Sequence, residues 1–419
     1  MKELAVQSIS PPDVVVQIPG SRSYTNRGLV CAALASGGSR ISGALRSEDT
    51  EAMCDGLGRL GVEVLEEGED WVVRGSGGQF AIPLHPVDCR ASGTTMRFLT
   101  ACAGLAPGRV VLDGTERMRA RPIQELADAL NSVGLQIRTT TGYPPVTVHG
   151  GQVKGGRISL DASRSGQYLS AVLMIAPYAD SDIEIITGPV ASLPFVEMTL
   201  ETMRTFGISV ERPQERVFRV PSGQHYRGRH YTVEPDAMSA NYFFSAAAIT
   251  GGRVRVEGLS PASCQGDVRF VEVLERMGCS VERGPRSISV RGSPYLHGVD
   301  VDLNAMPDQA QTLAVVACYA QGPTWIRNVA HLRLKETDRI AALEKELPKL
   351  GARVEVTGSD LRIEPPTRVN PAKITTYDDH RMAMSFALAG LRTPGIVIED
   401  PECVAKTFPD FFERLQALS

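Results

Sequence analysis

"TEAMCDGLGRLGVEV", residues 50–64, decides the fold. It reads as an amphipathic helix closed by Gly61, a position where a left-handed C-cap is wanted, with a strand directly after it. The same pattern returns as "PIQELADALNSVGLQI", "PFVEMTLETMRTFGISV", "DVRFVEVLERMGCSV" and "TDRIAALEKELPKLGARVEV". Their closing glycines are Gly134, Gly207, Gly278 and Gly351, at spacings of 73, 73, 71 and 73 counted from Gly61. A sixth copy, "FPDFFERLQAL", closes the chain without trailing strands. A fixed period of this length marks a repeat architecture.

A second kind of helix alternates with the first and is apolar on nearly every side: "GLVCAALASGG", "TMRFLTACAG", "YLSAVLMIAPYA", "NYFFSAAAITGG", "TLAVVACYAQG" and "MAMSFALAGL". A helix without a polar face belongs inside a domain. Short alternating strands such as "RVRVEGL" and "SISVRG" separate the helices. Each unit therefore reads strand, buried helix, strand, outer helix, strands, and six units fill the chain. Residues 3–17 supply strands with no unit before them, so the N-terminus is expected to complete the last repeat. The expected fold is α/β, with two similar domains of three βαββ-type repeats. One spans residues 20–232, the other 1–19 plus 233–419, with a hinge at 19–20 and 232–233.

The length of 419 residues is itself too great for one ordinary core. With 42% apolar and 22% charged residues the composition is that of a soluble globular chain, and a net charge of −4 gives no global attraction to nucleic acid or anionic lipid. The charge-free stretch 166–179 is too short and too interrupted by Gln, Ser and Pro to span a bilayer, and no apolar leader follows Met1. Eight cysteines without C-x-x-C spacing suit free thiols in a reducing compartment. A cytoplasmic protein with no membrane or nucleic-acid partner is expected.

Polar residues gather where the buried helices begin: Ser21 to Arg27, Ser92 to Arg97, Ser163 to Gln167, Asp236 to Asn241, Asp308 to Gln311 and Asp378 to Arg381. A helix start leaves about four N–H groups unpaired and carries about half a positive charge. If three such ends in each domain aim at one cleft, phosphate or carboxylate is the natural occupant. "GLGRLG" (56–61) is not a dinucleotide loop, because it closes a helix and precedes a strand. "YDDHR" reads as a cap rather than a metal site. "HLRLKETDRI" places Lys335 and Arg339 at i,i+4 with Glu336 between them, which suits a solvated salt-bridge face as well as a site. "ERMRARPIQEL" sets Arg117, Arg119 and Arg121 before a helix that Pro122 is expected to open.

Taken in order, "PGSRSYTNR", "SGTTMRFL", "LDGTERMRARPI", "GQYLSAVLM", "LKETDRI", "DDHRMAM" and "KTFPDFF" resemble the 5-enolpyruvylshikimate-3-phosphate (EPSP) synthases along essentially the whole chain. The resemblance implies an inverse α/β barrel in each domain, with the buried helices parallel. It implies transfer of the enolpyruvyl group of phosphoenolpyruvate to the 5-hydroxyl of shikimate 3-phosphate, releasing phosphate, by a monomer without metal or cofactor. By position, Arg22, Gly93, Thr94, Arg121, Gln167, Arg339, Arg381 and Lys406 match the phosphoenolpyruvate site. Ser23, Arg27, Ser165, Gln167, Ser192, Asp308 and Lys335 match the shikimate-3-phosphate site. Asp308 is the implied base for the acceptor hydroxyl, Glu336 the carrier of the C3 proton, and Arg22 a third catalytic group.

The chain departs from the family pattern at five places. Arg22 stands for a Lys, Ala91 for an Asn, Gly166 for a Ser, Phe195 for a Tyr and His331 for another polar residue. The alternative is therefore a divergent relative acting on a different shikimate-type acceptor. The sister enzyme that acts on UDP-N-acetylglucosamine fits poorly, because "DGTERMRARP" lacks the Cys of its mobile loop. A non-catalytic anion binder would not need Asp308, Glu336 and Lys406 together.

Overall fold

A computed structural model describes residues 2–419. The chain divides into two compact units, Gly20–Glu234, and Pro235–Ser419 together with the residues up to Pro19. The second crossing falls two residues beyond the expected 232–233. Val233 N–H donates to Ser42 O at 2.9 Å and Ser21 N–H to Glu234 O at 2.8 Å, which ties 233–234 to the first unit. Asp236 N–H, in contrast, donates to Pro19 O at 2.9 Å, inside the other unit. At the first crossing a Cβ on Gly20 would lie 1.8 Å from Gly43 O, so only glycine fits.

One sheet pattern recurs. In Gly20–Glu234, Val87–Asp88 runs parallel to Arg109–Asp113, which pairs antiparallel with Tyr143–His149 and through it with Gln136–Thr140. Gly156–Leu160, Ile183–Thr187, Val217–Val220 and Glu211–Gln214 repeat that order. So do His230–Thr232, Ser36–Ser42, Asp70–Ser76 and Glu63–Glu67, so the end of the unit completes its beginning. The other unit has two such sheets. In one, Asp13–Val16 lies parallel to Arg253–Glu257; in the other, Asp300–Asp302 lies parallel to Thr324–Arg327.

The sixth repeat is abbreviated. Lys373–Ile374 pairs parallel with Val397–Glu399, which Glu3–Ala5 completes antiparallel. Residues 3–17 therefore do not all finish the last repeat as expected, since Asp13–Val16 belongs to the fourth. Pro11 and Pro12 separate the two strands, and neither can donate to a ladder.

The buried helices are Arg22–Leu34, Gly93–Ala103 and Gly166–Ile175 in one unit. Ala237–Thr250, Ala310–Ala317 and His380–Gly390 are those of the other. Every residue from Ala237 to Ile249 is buried, as a helix with no polar face requires. The glycines closing the outer helices take φ of 87°, 99°, 94°, 108° and 93° at Gly61, Gly134, Gly207, Gly278 and Gly351. Any other residue would be strained there, which explains the repeat's punctuation. Among the described residues no helix is long and apolar enough to cross a membrane. All eight cysteines are free, five of them buried.

Candidate functional site

In Gly20–Glu234 the starts of the three buried helices come together. Gln167 Nε2, at the start of the third, donates to Thr94 Oγ1 at the start of the second, 3.1 Å away. Ser92 and Ser165 cap these two helices by accepting from Thr95 N and Gln167 N. Gly93 is small for a reason: a Cβ there would lie 2.6 Å from Arg121 Nη2 and 2.7 Å from Arg97 Nη1. Two guanidinium groups thus stack against a bare backbone turn. Arg121 is 9% exposed, and its Nε has no hydrogen-bond partner among the described residues.

Arg22 opens the first buried helix and its Nη1 lies 2.7 Å from Asp49 Oδ2. Arg27, one turn on and 2% exposed, is held wholly by neutral oxygens. Its Nε donates to Thr199 Oγ1 at 2.7 Å, Nη1 to Ser23 O at 3.0 Å and Nη2 to Phe195 O at 2.7 Å. Burial without a carboxylate pushes it down to about 10, so it stays charged at neutral pH. Ser192, 8% exposed, holds a left-handed φ of 57° before the helix Pro194–Thr205, and its carbonyl accepts from Phe195 N–H. The glycine at 166 is explained by packing, because a Cβ would meet Ala191 O at 2.7 Å.

The corresponding cluster in the other unit is a network of opposite charges. Arg339, 1% exposed, is its centre. Nε donates to Asp379 Oδ2 at 2.8 Å, Nη1 to Asp308 Oδ1 at 2.7 Å, and Nη2 to Glu336 Oε2 at 3.0 Å. Such a fork uses the planar donor geometry that lysine lacks. Arg381 Nη2 stands 3.3 Å from Asp308 Oδ2 while its Nη1 donates to Tyr242 Oη at 3.2 Å. Lys335 Nζ is 4.0 Å from Asp308 and Lys406 Nζ 3.9 Å from Glu336. Asp379 also caps the helix that carries Arg381, accepting from Arg381 N at 2.9 Å.

Burial opposes ionisation of Asp308, but Arg381, Lys335 and Arg339 together override it and hold the carboxyl well below the usual range. Burial, aided by Lys335 and Arg339 and opposed by Asp308, pushes His331 down to about 4, leaving a neutral imidazole whose Nε2 has no partner among the described residues.

The sequence-derived residues fall into two sets, one per unit: Arg22, Ser23, Arg27, Gly93, Thr94, Arg121, Ser165, Gln167 and Ser192 in the first, Asp308, Lys335, Glu336, Arg339, Arg381 and Lys406 in the second. Two local expectations are corrected. Lys335 lies in extended backbone and the helix begins only at Arg339, so the pair does not form a helical salt-bridge face; Asp338 caps that start and excludes an earlier one. Pro122 does not open its helix either, which runs Gln124–Ser132, because Pro122 O is already taken by Arg97 Nη2 and Tyr168 Oη. Sequence reasoning missed Asp49 and Thr199, and found Asp379 only as a cap. Nothing local in "SEDTEAM" separates Asp49 from an ordinary first-turn acid.

A sequence model of the family described as EPSP synthase (3-phosphoshikimate 1-carboxyvinyltransferase) matches residues 6–415. The 3-phosphoshikimate 1-carboxyvinyltransferase of Trichormus variabilis is 47% identical over 99% of this chain and 98% of its own. The chloroplastic protein of that name from Arabidopsis thaliana is 45% identical over 100% and 84%. Among solved structures, EPSP synthase from Acinetobacter baumannii superposes with a TM-score of 0.84 at 28% identity, covering 100% of this chain and 98% of that one. The enolpyruvyl transferase NikO from Streptomyces tendae, at 18% identity and a TM-score of 0.79, shares the fold. With the model spanning nearly all of its length and relatives this similar, the chain belongs to the EPSP synthase family.

Proposed function

We propose that the chain transfers the enolpyruvyl group of phosphoenolpyruvate to the 5-hydroxyl of shikimate 3-phosphate and releases inorganic phosphate. The observation that carries the reading is the Asp308–Arg339–Glu336 cluster, in which two carboxylates share one buried guanidinium. The acceptor oxygen bonds to C2 of phosphoenolpyruvate as its proton passes to Asp308, and C3 gains a proton from Glu336. The C2–O bond to phosphate then breaks as C3 returns its proton to Glu336 and Asp308 passes its proton to the departing phosphate, and the enol ether is formed. Each carboxylate thus works in both directions.

Arg22, Arg121, Gln167, Arg339, Arg381 and Lys406, with the Gly93–Thr94 turn, hold the donor's carboxylate and phosphate. Ser23, Arg27, Ser165, Gln167, Ser192 and Lys335 hold the acceptor. An Asp held so far below its usual range is a weak base while no ligand is bound. Anionic groups arriving on Arg339 and Arg381 divert those cations and add negative charge, and both effects raise Asp308 toward the pKa its task needs. The two units carry complementary halves of this machinery, and the crossings at 19–20 and 234–235 serve as the hinge that brings them to act together. The protein works as a cytoplasmic monomer, without nucleic acid or membrane, and uses no metal or cofactor.

Phosphate release from phosphoenolpyruvate with purified shikimate 3-phosphate tests the reading. Turnover is expected; absence of both turnover and ligand-induced thermal stabilisation overturns it. The alternative acceptor is favoured by His331 and Phe195, and by them alone. A dephosphorylated or differently hydroxylated cyclohexene turned over faster than shikimate 3-phosphate would establish it.

A further inference from the structure

Gln309 follows Asp308 in the turn Pro307–Gln309 and is 1% exposed. Its Nε2 donates to Asp267 Oδ1 at 2.9 Å, while its Oε1 is buried with no hydrogen-bond partner among the described residues. A buried carbonyl left unpaired is unfavourable. The group already bonded to the other end of this amide is a carboxyl, and a protonated carboxyl has one donor to give.

Asp267 is firmly placed. It lies 3% exposed in the turn Gly266–Arg269, and its own carbonyl accepts from Asn241 Nδ2 at 2.8 Å. Neighbouring Gln265 accepts from Ala237 N at 3.1 Å and donates to Pro235 O at 2.8 Å. The turn is thus fastened to the start of the helix Ala237–Thr250. No ion pair reaches Asp267 among the described residues, and the repeat shows why. Asp49, which occupies the matching place in the other unit, pairs with Arg22, the residue after the helix cap Ser21. After the cap Asp236 comes Ala237, so here the cation is missing. The charged groups facing Asp267 are Asp308 and Asp236, of like sign, and Arg381. Burial, with Asp308, outweighs the Gln309 bond and Arg381 and pushes the carboxyl up to about 7.

We propose that Asp267 is a positioning residue for Asp308: as a neutral acid it accepts from Gln309 Nε2 and donates its proton to Gln309 Oε1, and this two-bond pair fixes the turn that aims Asp308. The inference rests on the reading of Asp308 as the group that takes the acceptor's proton. Ionisation removes the donor and sets a second negative charge beside Asp308, so activity declines as pH rises through the Asp267 titration.

Asp267→Asn is the deciding variant, because a carboxamide offers the same acceptor and donor at every pH. In the wild type kcat should fall as pH rises above about 7, while Asp267→Asn stays level there and overtakes it. Asp267→Ala should lose roughly tenfold in kcat at all pH values, the scale of a modest misplacement, with KM for phosphoenolpyruvate within about twofold of the wild type. An alkaline fall kept by Asp267→Asn, or equal losses in Asn and Ala variants, overturns the proposal. Infrared difference spectra of wild type against Asp267→Asn at mildly acid pH read the pair without turnover. A protonated-carboxyl band is expected, and its absence overturns the proposal even in an active enzyme. The band in a protein that turns over nothing would uphold the pair and sink the functional reading instead.

Discussion

The two polar clusters are built from the same repeat and solve opposite electrostatic problems. In Gly20–Glu234, Arg27 is charged, buried and satisfied only by hydroxyl and carbonyl oxygens, and Arg121 packs against a glycine. Arg22 pairs with a carboxylate, Asp49. The cluster therefore holds surplus positive charge in a place from which water is largely excluded. In the other unit, Arg339, Arg381, Lys335 and Lys406 are met by Asp308, Asp379 and Glu336, so charge is nearly balanced before any ligand arrives. Surplus charge suits capture of an anion, whereas balanced charge suits a proton that must go and come back. We propose that the first cluster serves binding alone, whereas the second both binds and moves the protons.

Four substitutions test that division, the largest effect first. Asp308→Asn should cost about a thousandfold in kcat yet leave both ligands measurable by calorimetry; full activity would remove Asp308 from the chemistry. Arg339→Met leaves Asp379, which is 0% exposed, and Asp308 without their central partner. A loss of about 3–5 kcal/mol in denaturant-derived stability is expected, and an unchanged midpoint would show that the network is not balanced as described.

Arg27→Met should behave differently, because it removes surplus charge rather than breaking a pair. Affinity for shikimate 3-phosphate should weaken by about 10- to 100-fold, the worth of one or two charge-assisted hydrogen bonds, with kcat changed by less than about threefold. A large drop in kcat at saturating acceptor would place Arg27 in the chemistry and blur the division. Arg22→Lys is the smallest change. The lysine keeps the charge but forfeits the fork that reaches Asp49, so phosphoenolpyruvate affinity should fall only a few-fold. A gain in turnover would show instead that Arg22 hampers the site.

The fold was legible because its signals are local and repeated. Helix-closing glycines at a constant period need a left-handed backbone wherever the chain goes, and helices apolar all round can lie only in a core. The candidate residues were legible as short ordered motifs at helix starts. Their partners were not. Asp49 and Asp267 occupy matching places in two repeats, yet one pairs with an arginine and the other with an amide. Thr199 reads as one more polar residue of an amphipathic helix, although its hydroxyl accepts from Arg27.

Sequence by itself thus determined the repeat count, the kinds of helix and which cations and acids stand at helix starts, because each depends on neighbours a few residues away. Tertiary structure decided the crossing at 234–235, the division of residues 3–17 between two sheets, and which acid meets which base. Those depend on contacts between segments far apart in the chain, among them the 40 residues from Arg339 to Asp379 and the 172 from Arg27 to Thr199. Charge balance in a buried site is a sum over such contacts, and no single stretch of sequence contains it.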